Sequence, residues 1–302
     1  MITVRDLTLS DGRTLRVHDS ASGVGGSGSG GPGSGSGGPG STPHDSPTML
    51  WHHGSPQTGA LIEPLLRHAH TRGIRLICYG RPSYGGSSPL PERTVASAAA
   101  DVAELADALG LDRFATLGAS GGAAHALACA ALNADRITAV ASIASPAPFA
   151  AEGLDWFAGM VADGASLRAA VAGRPSREKY EESSDFDSDS FTERDYATLA
   201  ADWAALGDDV GRSAEFGTDG LVSDDLALVA PWGFDVADIE VPTLIVQGGE
   251  DRIIPAAHGD WLRRHLSNSG NSETEFWLRA RDGHLSVLNA VPLVLEWLLE
   301  RS

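Results

Sequence analysis

Leu117-Gly118-Ala119-Ser120-Gly121-Gly122-Ala123 stands between the apolar run Phe114-Ala115-Thr116-Leu117 and an Ala-rich stretch of helical character. A G-x-S-x-G sequence in a strand-to-helix setting is where a serine becomes a nucleophile. So sharp a turn strains the serine backbone. Small neighbours are required because strand and helix pass within contact distance. The hydroxyl then projects at the carboxyl end of a sheet, above a helix N-terminus that favours developing negative charge. Ser120 is the candidate nucleophile; a helix-capping serine is the plainer alternative.

Outward from this turn, the chain alternates strands and helices. Residues 2–9 and 13–18 alternate in period two around the turn Asp11-Gly12 and predict an antiparallel pair. Strands are predicted at 48–52, 74–79, 113–117, 137–143, 241–247 and 274–278. Helices are predicted at 59–70, 95–109 (stopped by Gly110), 123–132, 258–266 and 285–299. Alternation of this kind argues for an α/β fold with a mostly parallel sheet and helices on both faces.

Three segments follow. Residues 1–145 form the first part of the core, and 231–302 the second. Between them, 146–230 reads as an inserted helical cap over the carboxyl ends of the strands, where ligands bind in open α/β sheets. Within the first part, residues 22–41 consist of Gly, Ser and Pro apart from Val24, which predicts a flexible loop. A phosphate cradle is the alternative there, but no helix start or P-loop lysine follows. The loop is expected at the end of the sheet opposite Ser120.

The formal net charge of −18 makes nucleic acid and anionic membrane surfaces poor partners. Residues 176–225 are the most acidic part, with fifteen Asp and Glu against four Lys and Arg. A solvated surface explains this simply. The sharper alternative is recognition of a cationic substrate end by Glu181, Glu182, Asp185 or Asp202. Cys78 and Cys129 give no disulfide framework and read as small core fillers. With no spanning run and no charged-then-apolar leader layout, the expected location is cytoplasmic.

A serine needs a base, an orienter for that base and donors for the oxyanion. Asp251 lies in Gln247-Gly248-Gly249-Glu250-Asp251-Arg252-Ile253-Ile254-Pro255, after an apolar strand, with Glu250 as a rival acid. His284 lies in Asp282-Gly283-His284, between the last strand and the final helix. Ser120, Asp251 and His284 stand in the nucleophile, acid, base order of residues hung from successive strand ends. The backbone amides of Gly121 and Ser55 are the candidate oxyanion donors. His53 reads as a structural histidine of the Ser55 loop. No third ligand completes a zinc site with His52 and His53, so no metal is expected. Trp156, Phe157, Trp203 and Trp232 are candidates for an apolar substrate pocket or, alternatively, for cap-to-core packing.

HHGSP at 52–56, GRPSYGGSS at 80–88, GASGG at 118–122, GGEDRIIP at 248–255 and DGH at 282–284 together resemble the α/β-hydrolase superfamily in its cap-bearing branch. The resemblance covers roughly 45–145 and 231–302. It implies the α/β-hydrolase fold with an eight-stranded sheet, the triad roles of Ser120, Asp251 and His284, and no cofactor. Within the superfamily the chain is similar to the proline iminopeptidase and small-molecule esterase groups. It departs from the peptidase pattern at HGSPQ, GASGGA and Tyr79. Serine at 120, where haloalkane dehalogenases and epoxide hydrolases carry Asp, separates it from those enzymes. The expected function is a serine hydrolase of small esters or related acyl compounds. The alternatives are an iminopeptidase-like aminopeptidase, a low-turnover ligand-binding protein on the same fold, and a cofactor-free perhydrolase. The expected partner is a small-molecule substrate; oligomeric state stays open.

Overall fold

The computed structural model describes residues 2–21, 46–268, 270–271 and 273–302. Eight strands form one sheet: β1 (Thr3–Thr8), β2 (Thr14–Asp19), β3 (Thr48–His52), β4 (Arg75–Tyr79), β5 (Phe114–Ala119), β6 (Ile137–Ile143), β7 (Thr243–Gly248) and β8 (Thr274–Arg279). Their order is β1-β2-β4-β3-β5-β6-β7-β8. β1 pairs with β2, and β2 with β4, antiparallel; the rest are parallel.

Alternation along the buried strands sorts side chains into two layers. Met49, Trp51, Leu76, Cys78, Ala115 and Leu117 enter one core, while Leu50, Ile77, Tyr79 and Phe114 enter the other. Helices cover both faces. α1 (Leu65–His70) and the last helix pack on the first core, α2 (Ser97–Leu109) and α3 (Gly121–Leu132) on the second. Cys78 and Cys129 are both fully buried, and burial pushes both thiols up.

The strand order reverses at β3. From β3 the chain passes through α1 to β4 on one side, then through α2 to β5 on the other. Such a reversal is where ligands bind in open α/β sheets, outside the carboxyl ends of the strands. Because β3 and β5 are paired neighbours, the loop with Ser55 and the turn with Ser120 leave the sheet side by side at that end.

Between β6 and β7 the described chain is helical: α4 (Ala165–Val171), α5 (Arg174–Ser183), α6 (Glu193–Leu199), α7 (Ala204–Ser213) and α8 (Asp219–Leu228). α9 (Ala256–Asn268) and α10 (Val291–Leu299) complete the set.

Two predicted helices begin five or more residues after their expected starts. Residues 59–64 are not helical, and α1 begins at Leu65. Gly59 has φ +84°, and Pro64 has no N–H and disfavours a helical residue before it. Residues 286–290 form a 3-10 turn, and α10 starts only at Val291. Pro292 has no N–H to give Leu288, so the ladder cannot run through and the proline instead opens the helix.

The Gly/Ser/Pro loop lies outside the described residues. Its described flanks meet the amino ends of the parallel strands: Ser20 donates to Leu76 O, and Thr48 lies opposite Arg75. Among the described residues no helix is long and apolar enough to cross a membrane.

Candidate active site

Ser120 sits between β5 and α3 with φ 56° and ψ −132°. A non-glycine residue at such a φ costs on the order of 1–3 kcal/mol and persists only when its surroundings over-determine it. Here its amide donates to Ile143 O at 2.9 Å. Crowding explains the flanking glycines. A Cβ on Gly122 would lie 2.2 Å from His52 O and 2.3 Å from His53 O, and one on Gly118 would lie 2.5 Å from Gly122 O.

His284 and Asp251 reach the same point from two other strand ends. His284 Nε2 lies 3.0 Å from Ser120 Oγ, and His284 Nδ1 lies 2.8 Å from Asp251 Oδ2. Asp251 Oδ1 accepts from the amides of Ile253 at 2.9 Å and Ile254 at 2.8 Å. The carboxylate is thereby fixed within its own loop, while the rival Glu250 is exposed. An ionised carboxylate only accepts, so His284 Nδ1 carries the hydrogen in this contact and Nε2 faces Ser120 with its lone pair. Burial lowers the His284 imidazole, but Asp251 outweighs it and, with Asp195, raises the group above its ordinary value.

The loop after β3 closes against the serine. An ideal Cβ on Gly54 would lie 3.7 Å from Ser120 Cβ, and one on Gly121 would lie 3.3 Å from Ser55 Oγ. His53 is buried beneath this loop. Its Nδ1 donates to Gly54 O at 2.7 Å and its Nε2 accepts from the Arg81 amide at 3.2 Å. Burial and the nearby Arg81 hold it well below the usual histidine range. Among the described residues no group of three His, Cys, Asp or Glu is arranged to hold a metal.

The four aromatic candidates do not form one pocket. Trp156 and Phe157 pack with Met160, Leu167 and Ile254; Trp203 belongs to one sheet-face core and Trp232 to the other. The indole N–H of Trp156 donates to Ala147 O, and that of Trp232 to Leu228 O. These internal partners let the rings serve as packing. Trp203 and Trp232 also line different clefts, neither of which includes Ser120.

The acidic candidates are equally dispersed. Glu181 pairs with Arg177, Asp202 faces Arg67 in solvent, and Glu182 and Asp185 are exposed. Two other acids bind the loops at His284 and Ser55, and buried Asp209 in α7 accepts from the Thr58 amide and hydroxyl farther along the loop after β3. Asp195 in α6 accepts from the Leu285 amide at 2.9 Å, the Ser286 amide at 2.7 Å and Ser286 Oγ at 2.8 Å, next to His284. Asp224 in α8, fully buried, accepts from Ser55 Oγ, Arg81, Arg93 and Tyr84. The sequence signal for Asp224 is the acid pair Asp224-Asp225 inside the otherwise largely apolar stretch 220–228, and nothing local names its partners.

The model of the alpha/beta hydrolase fold family matches residues 47–290. The chain belongs to the alpha/beta hydrolase fold family. No curated protein matches the sequence. Among solved structures, this hydrolase-fold chain is similar to a thermophilic esterase from Thermogutta terrifontis. The identity is 19%, covering 99% of this chain and 100% of the esterase, with a TM-score of 0.65. The enol-lactonase from Burkholderia xenovorans LB400 is 17% identical over 98% of this chain and all of the lactonase, at 0.67. An esterase from Exiguobacterium antarcticum is 18% identical over 99% of this chain and 98% of the esterase, at 0.63. At these identities the likeness is one of fold.

Proposed function

We propose that the chain is a serine hydrolase of small esters or related acyl compounds, working through an acyl-enzyme. The observation that carries this is the continuous row from Ser120 Oγ through His284 to Asp251, with contacts of 3.0 and 2.8 Å. Ser120 attacks the acyl carbonyl as His284 Nε2 takes its proton. Asp251 keeps the hydrogen on Nδ1 and stabilises the imidazolium. The amides of Gly121 and Ser55 receive the oxyanion, a kind of contact worth about 3 kcal/mol per donor. His284 returns the proton to the leaving group, then activates the water that releases the acid. No cofactor is called for. Residues 146–230 act as a cap that shapes the substrate site, with Leu228 near Gly121. The aminopeptidase alternative lacks support of this kind, because its candidate carboxylates are paired or in solvent.

The test is kcat/KM on nitrophenyl esters and aminoacyl nitroanilides, for wild type and Ser120→Ala. Ester turnover is expected, falling by roughly 10⁴-fold or more in the variant. Ester turnover that survives the substitution would overturn the assignment. Preference for the anilides would replace it with the peptidase.

A further inference from the structure

The Ser55 side chain is held by two buried charged partners. Its hydroxyl donates to Asp224 Oδ2 and accepts from Arg81 Nη2 at 3.0 Å. Arg81 also donates through Nη2 to Asp224 at 2.6 Å and through Nη1 to His53 O, so it grips the loop at 53 and at 55. Asp224 takes two further donors, Arg93 Nη2 at 2.6 Å and Tyr84 Oη at 2.9 Å. All four partners come from outside α8, and Ser55 is 169 residues away in sequence.

A carboxylate this near an oxyanion position would work against negative charge developing there. Two buried guanidinium groups outnumber it, at relative exposures of 1% and 2% for the Arg81 and Arg93 side chains. Burial raises the Asp224 carboxyl, but Arg81 and Arg93 outweigh it and hold it well below the usual range. His125 nearby is neutral, since burial and Arg81 pull it down to about 3. The cluster formed by Asp224, Arg81, Arg93 and Tyr84 therefore carries one net positive charge behind the loop, in a site with little water to screen it.

We propose that Asp224 and Arg81 are positioning residues for acyl transfer: they clamp the Ser55 hydroxyl, fixing the backbone amide that receives the oxyanion. The clamp rests on the hydrolase reading above. It also ties the inserted helices to the oxyanion loop, because α8 supplies the acid.

The experiment compares wild type, Ser55→Ala, Asp224→Asn and the double variant on p-nitrophenyl acetate, with kcat and KM separated. Inhibition by a trifluoromethyl ketone, which forms an oxyanion on the serine, and the melting temperature are measured in parallel. Ser55→Ala leaves Asp224 three donors, from Arg81, Arg93 and Tyr84, so the buried carboxylate stays paired. It is expected to lower kcat roughly 10- to 100-fold, with KM within about twofold. Ketone affinity should fall by a similar factor. Asp224→Asn should cost less in the Ser55→Ala background than alone. Wild-type kcat and ketone affinity in Ser55→Ala would overturn the clamp, as would independent effects of the two substitutions. If Asp224→Asn does not fold, the Ser55→Ala measurements decide by themselves. Absence of Ser120-dependent turnover in wild type would instead refute the hydrolase reading and take the clamp with it.

Discussion

Replacing Asp195 by alanine should destabilise the protein by about 3 kcal/mol and disturb the base. Asp195 is 1% exposed and joins two loops. Through Oδ2 it accepts from the Thr192 amide and hydroxyl, both at 2.9 Å, closing the capping box of α6. Losing such a cap costs about 1 kcal/mol. Through Oδ1 it satisfies the amides of Leu285 and Ser286, and Ser286 is fully buried. An orphaned buried amide costs roughly 1–3 kcal/mol, and the half-buried Leu285 amide less. Asparagine keeps one carbonyl oxygen for 285 and 286 but turns an amino group toward the Thr192 amide, so about 1–2 kcal/mol is expected. Urea unfolding at constant slope reads these differences. A loss below about 0.5 kcal/mol for alanine would refute the argument that this carboxylate holds the His284 loop. Burial raises the Asp195 carboxyl, but the bonds from Ser286 and Thr192 outweigh it and lower it overall. Its contribution is therefore complete above the unfolded carboxylate value of about 4 and shrinks as pH falls through the lower folded value. The stability gap between wild type and Asp195→Ala should narrow in acid as the Asp195 carboxylate takes up its proton.

His284 must be neutral to accept a proton, and its folded value is raised above 6.5. The acid limb of kcat/KM should fall above that pH, and Asp195→Ala should move it lower; a wild-type midpoint well below 6.5 contradicts the assignment of His284 as base. By the same sign, stability from the charged imidazole is present below pH 6.5 and lost as pH rises through the folded value. Gly122→Ala drives a methyl into the carbonyls of His52 and His53 and should abolish folding or activity. Gly207→Ala, in α7 with nothing within 4 Å, should instead add about 1 kcal/mol in thermal unfolding. Deleting residues 23–40 should leave kcat unchanged, because the flanks of that segment lie at the opposite end of the sheet from Ser120; a large fall would refute this placement.

Most strands and the core helices were legible in the chain because their evidence is local. Residues 48–52 and 137–143 are apolar runs bounded by turn residues, and β3 and β6 occupy those residues. Where one proline or glycine governs a boundary, as at Pro64 and Pro292, periodicity alone overran it. The candidate site divides in the same way. Ser120, Asp251 and His284 announce themselves by residue type beside glycines at strand ends. Trp156, Phe157, Trp203 and Trp232 offer residue type alone, and packing divides them among three apolar clusters.

By itself, the sequence determined the alternating α/β layout and the side chains available at each strand end, since backbone propensity and turn chemistry act over a few residues. Only the tertiary structure decided that the strand order reverses at β3, which sets the Ser55 loop beside Ser120. It alone selected Asp195 and Asp224 from the many acids of residues 176–225. A buried carboxylate is tolerable only where donors surround it. Those donors, at Ser55, Arg81, Arg93 and Ser286, are brought near only when the sheet and helices pack.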